Sequence, residues 1–61
     1  MKMRSYTAEQ MSDTFTGVKG NQRKINVKFF EMVLLSTREG GHYIYPAVRK
    51  TFTIKNGKFW E

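Results

Sequence analysis

A chain of 61 residues without a single cysteine cannot be stapled by a disulfide. At this length folding buries only about 60% of the surface of the extended chain, so a small core has to be well packed or supported by association. One histidine without cysteine also excludes the usual four-ligand zinc site. The length fits one domain, residues 1–61, with one core and its function on a surface.

Charge narrows the class of partner. Eleven Lys+Arg against five Asp+Glu give a formal net charge of +6, and the isoelectric point is near 10.0. An aromatic content of 15% is too high for a disordered basic tail. The expected product is a folded basic module that meets a polyanion or an acidic protein surface. Absence of cysteine fits a reducing compartment, and the expected location is the cytoplasm. Met1-Lys2-Met3-Arg4 is basic, but no apolar run follows it as in a signal peptide. The densest apolar stretch, Phe29 to Leu35, contains Glu31 and falls well short of the ~20 residues that cross a bilayer, so no membrane partner is expected.

Residues 1–5 are polar and basic and are expected to fray. Thr7-Ala8-Glu9-Gln10 reads as a capping box opening a short helix from Ala8 to about Phe15, with the boundary near Asp13. Gly17-Val18-Lys19-Gly20-Asn21 reads as a reversal and a hairpin. From Lys24 to Phe29 the chain alternates, Ile25, Val27 and Phe29 against Lys24, Asn26 and Lys28, which predicts a half-buried strand. Phe30 to Leu35 loses the alternation. As a helix its apolar residues would spread around the circumference, so a continued strand is favoured, either bulged near Phe29-Phe30 or covered on both faces.

Glu39-Gly40-Gly41 reads as a second reversal, and His42 to Lys55 resumes a period of two. Pro46 marks an edge, a bulge or a break between two shorter strands. Asn56-Gly57 predicts a closing hairpin that opposes Lys55 to Lys58, Ile54 to Phe59 and Thr53 to Trp60. The predicted fold is α+β and β-rich: a short N-terminal helix packed on a three- to four-stranded antiparallel sheet, or a small SH3/OB-like barrel. Its expected core is Ile25, Val27, Phe29, Val33, Leu35, Ile44, Val48, Phe52, Ile54 and Phe59.

On the other parity of that sheet, Lys24, Lys28, Arg49 and Lys55 interleave with Tyr43, Tyr45 and Trp60. Cations neutralise phosphates and flat rings stack on unpaired bases, so such a face suits single-stranded DNA or RNA. Lys19 and Arg23 join Gln22 and Lys24 in a basic loop. The bland alternative makes the rings core and the lysines a solvated surface. Catalysis has little support. Glu39 and His42 flank a glycine turn, no carboxylates are paired at a catalytic or metal-binding spacing, and no phosphate-binding glycine loop is present. No catalytic residue, metal or cofactor is therefore assigned.

The segment Gly17 to Val27, GVKGNQRKINV, resembles a hairpin segment of the carbon-storage regulator family of RNA-binding proteins. Met1 to Thr16 and Thr37-Arg38-Glu39 do not match that family's basic first strand and Arg-containing closing strand. The resemblance implies a hairpin at Gly20-Asn21 and transfers no RNA-contact residue.

Three functions fit. The first is a nucleic-acid-binding module that prefers single strands. The second is a protein-binding regulator or inhibitor, of the compact kind found in viruses and mobile elements, docking its basic-aromatic face on an acidic partner. The third is a winged-helix duplex binder, with Ala8–Phe15 and Asn26–Arg38 as helices and the Asn56-Gly57 hairpin as the wing. Unpaired strand edges and a small core also favour a homodimer.

Overall fold

The computed structural model describes residues 3–38 and 40–61. In chain order they form β1 (Ser5–Tyr6), α1 (Ala8–Met11) continued by a π-helical segment (Ser12–Thr16), α2 (Asn21–Ser36), β2 (Gly41–Tyr45), β3 (Lys50–Lys55) and β4 (Lys58–Trp60). The strands make one open antiparallel sheet in the order β1-β4-β3-β2, with the helices on one face. This is an α+β fold with a helical layer on a four-stranded sheet, not a closed barrel.

Local chemistry accounts for the start of the helical layer. Thr7 Oγ1 accepts from the Gln10 amide at 3.2 Å, and Gln10 Oε1 accepts from the Thr7 amide at 2.9 Å, so both halves of the capping box form. Gly17, at φ +65°, ends the helical run beyond Thr16. Gly20 then leads the chain into α2 instead of into a hairpin.

The main correction falls on Lys24 to Leu35, which lies within α2 and is not a strand; the hairpin at Gly20-Asn21 is likewise absent. The alternation of Ile25, Val27 and Phe29 covers too short a window to outweigh the pattern around it. Val27, Phe30, Val33 and Leu34 recur at helical spacing and pack against the core, with Phe30 buried. Ile25 and Leu35, both expected inside, are 59% and 72% exposed. The helix is apolar on two sides, which hides a single stripe from a sequence pattern.

Ser5, expected to fray, pairs with Trp60, and Arg4 accepts a backbone hydrogen bond from Glu61 at 2.9 Å. Met1, Lys2 and Glu39 lie outside the described residues. The terminal hairpin has the expected register, Thr53 to Trp60, Ile54 to Phe59 and Lys55 to Lys58. Asn56 and Gly57, at φ +53° and +71°, supply the two left-handed residues its tight turn requires.

The core consists of Ala8, Met11, Phe30, Phe52, Ile54 and Phe59, with Val27, Val33 and Val48 partly buried against it. Ile44, expected to share a face with Phe52 and Ile54, is 68% exposed on the opposite face. Its parity is reversed because Pro46 to Arg49 form a turn between two strands. Tyr45 pairs with Lys50, so Tyr43 stands opposite Phe52 and faces inward with it.

Candidate nucleic-acid interface

The sheet has an inner face under the helices and an outer face that no described element covers. Register places Ser5, Trp60, Thr53 and His42 in one row across the outer face. The Lys55–Lys58 and Ile44–Thr51 pairs flank that row. Most of these side chains are exposed, Ser5 and Trp60 being half-buried. The Trp60 ring is held by its Nε1, which donates to the Lys55 carbonyl at 2.8 Å. Around it, Met3, Thr53, Lys55 and Asn56 line a shallow hollow of about 160 Å³.

Among the described residues no carboxylate points from a strand of this face. Glu9 and Asp13 lie in the helical layer beside Arg23, and Glu31 lies on α2. Glu61, at the end of β4, accepts from Lys50 Nζ and, at 3.2 Å, from the Tyr6 hydroxyl. The Lys50 bond holds its carboxyl below the ordinary glutamate value, with Tyr6 adding to the shift. The described acids are thus gathered around the helices and the inner side of the sheet. The outer face keeps Lys55 and Lys58 without an ion pair among the described residues.

The residues expected on one basic-aromatic face are divided among several sites. Lys55 and Trp60 are on the outer sheet face as expected. Lys24 and Lys28 stand on α2, where they border a hollow with Glu9, Arg23, Val27 and Glu31. Arg23 is engaged internally: Nε donates to Asp13 Oδ1 at 2.7 Å and Nη2 to Oδ2 at 3.2 Å, with Glu9 Oε2 at 3.8 Å. Its hydrogen bonds hold the Asp13 carboxyl below the ordinary aspartate value. Lys19 is exposed in the loop before α2, and Arg49, at φ +53°, is exposed in the β2–β3 turn.

Tyr43 and Tyr45 face the helices, not a single-strand platform. Their ring centroids are 5.7 Å apart, and each packs edge-on against Phe30, at 6.0 and 5.8 Å. Burial, with a smaller contribution from Tyr45, pushes the Tyr43 hydroxyl above its ordinary pKa. Together with Phe15, Asn26 and Phe29 the two tyrosines line an open cleft of about 340 Å³. The reversed parity of β2 moves both rings off the outer face.

Sequence reasoning missed Lys58 and Met3 as members of the outer face and weighed His42 for catalysis or as a solvated loop residue, not as part of that face. The hairpin register already paired Lys58 with Lys55 and could have found it. Nothing in the sequence signals Met3. His42 lies exposed in the central row, while Glu39, on the other side of the glycine turn, is outside the described residues. The described residues contain no cluster of acidic or histidine side chains able to hold a metal ion and no helix long and apolar enough to cross a membrane. No protein-family model, curated protein or solved structure matches this chain.

Proposed function

We propose that the outer face of the sheet binds single-stranded nucleic acid, with Lys55 and Lys58 neutralising phosphates and Trp60 offering its ring to an unpaired base. The observation that carries this reading is the segregation of charge. An uncovered sheet face presents a tryptophan, a histidine and two lysines that form no ion pair among the described residues, while the described carboxylates lie elsewhere. Base stacking on an aromatic side chain contributes about 1–3 kcal/mol and needs a base that is free of its duplex partner. A duplex-reading role fits α2 less well. Its outward side chains include Ile25, Phe29, Met32 and Leu35, where a helix in the major groove carries hydrogen-bonding groups.

The test separates charge from stacking. Each of Lys55→Ala and Lys58→Ala is expected to reduce the slope of log affinity against log salt by about 0.7, the contribution of one phosphate on a single strand. Trp60→Phe is expected to weaken binding to an oligonucleotide with little change in that slope. Identical affinities of all three variants and the parent chain would overturn the assignment. A salt-sensitive interaction with polyanions that shows no preference for unpaired bases would instead favour an acidic protein partner.

A further inference from the structure

We infer that the outward side of α2 is a self-association surface, on which a second copy of this chain packs its own α2 in antiparallel orientation about a two-fold axis. Ile25, Phe29, Met32 and Leu35 follow one another at spacings of four, three and three and form an exposed apolar stripe along the helix, Phe29 standing at the border where its ring meets Tyr43. All four are large and exposed; Met32 is 64% and Phe29 49% accessible. On this helix Val27, Phe30 and Leu34 already serve the core of the same chain, and of the second stripe only Phe29 also touches it, edge-on to Phe30 at 5.4 Å and Tyr43 at 6.2 Å.

Charge selects a second copy as the occupant. Lys24, Lys28 and Glu31 lie along one flank of the stripe and form no ion pair among the described residues. In an antiparallel two-fold pair the same flank of each helix meets its equivalent. A crossing point midway between Lys28 and Glu31 sets Lys28 of one copy beside Glu31 of the other, twice. Phe29 then lies at the axis, with Ile25 and Met32 of opposite copies in the layers on either side.

The helix ends support the same direction. Lys24 lies in the first turn of α2, where the helix's own dipole is positive, and the last turn carries no basic residue. An antiparallel neighbour brings its negative C-terminal end toward Lys24, whereas a parallel neighbour repeats the mismatch. The contact lies on the opposite side of the molecule from the outer sheet face. The dimer therefore turns two such faces outward, and this inference stands or falls independently of what they bind.

Sedimentation equilibrium of the full chain from micromolar to millimolar concentration tests it. The parent chain is expected to form a reversible dimer. Ile25→Gln combined with Met32→Gln is expected to raise its dissociation constant at least about tenfold while keeping the circular dichroism and thermal transition of a folded domain. Lys28→Glu and Glu31→Lys should each weaken the dimer, and the double exchange should restore it, because it rebuilds both intermolecular pairs. A parent chain that stays monomeric throughout overturns the inference. So does a dimer indifferent to the Ile25/Met32 change, which would place association elsewhere, such as the free edge of β2. Failure of the double exchange to restore association overturns the antiparallel arrangement.

Discussion

Phe30 ties α2 to the sheet through edge-on ring contacts with Tyr43, Tyr45 and Phe59 at 5.7–6.0 Å, and only 1% of it is accessible. Phe30→Ala should therefore cost about 3–5 kcal/mol, enough to unfold most molecules of a domain this size. Ile25→Ala, on the outward side of the same helix, should stay within about 0.5 kcal/mol in the monomer. Urea unfolding at low protein concentration checks both, and equal losses would contradict the orientation of α2. Ser12 gives a test of opposite sign. Its hydroxyl is fully buried without a hydrogen-bond partner, so Ser12→Ala should leave stability unchanged or raise it by about 1 kcal/mol. A loss larger than that would show that the hydroxyl is satisfied. Asp13 and Glu61 set the acid response. Both carboxyls titrate below their ordinary values in the fold, mainly through hydrogen bonds from Arg23 and Lys50 respectively. A depressed carboxyl stabilises the fold above its unfolded pKa, and that contribution fades as pH falls through the folded pKa. Stability should thus decline with acidification from about pH 4.5 downward, the ordinary range for such groups. Asp13→Asn should make the decline shallower in thermal melts taken across that range, and a steeper decline would contradict the pairing.

Elements differ in how much of them can be read locally. The β3–β4 hairpin was legible because two adjacent residues, Asn56 and Gly57, specify a turn whose geometry fixes the register of the strands beside it. Gly57→Ala should cost about 1–2 kcal/mol in thermal unfolding, since an L side chain is strained at φ +71°. A neutral result would show that the turn relaxes. The capping box before α1 was legible for the same local reason. By contrast, α2 carries apolar side chains toward the sheet and away from it, so neither period dominates, and only the placement of Phe30 among Tyr43, Tyr45 and Phe59 decides the matter. The β2 face depended on something equally non-local. A turn from Pro46 to Arg49 exchanges the roles of Ile44 and Tyr43, a difference that parity counted along the chain does not register. The candidate site inherits that division: Lys55 and Trp60, set by the local turn, were placed correctly, whereas Tyr43 and Tyr45, set by the pairing of β2, were not.

At the scale of the whole molecule, two layers leave two outward surfaces of different character. The helical side exposes an apolar stripe with a compensating Lys28–Glu31 pattern, suited to a second copy. The sheet side exposes lysines and a tryptophan without a described carboxylate, suited to a single strand. A net charge of +6 favours approach of any polyanion, so affinity at low salt does not separate the readings. Stacking does separate them, and the sole tryptophan of the chain lies on the face in question. The most direct measurement is Trp60 fluorescence during titration with a single-stranded oligonucleotide and with its duplex, each at low and near-physiological salt. The account predicts quenching and a wavelength shift with the single strand that persist at the higher salt, and a weaker response to the duplex. Binding that leaves Trp60 emission unchanged, or that favours the duplex, would contradict the assignment of the outer sheet face.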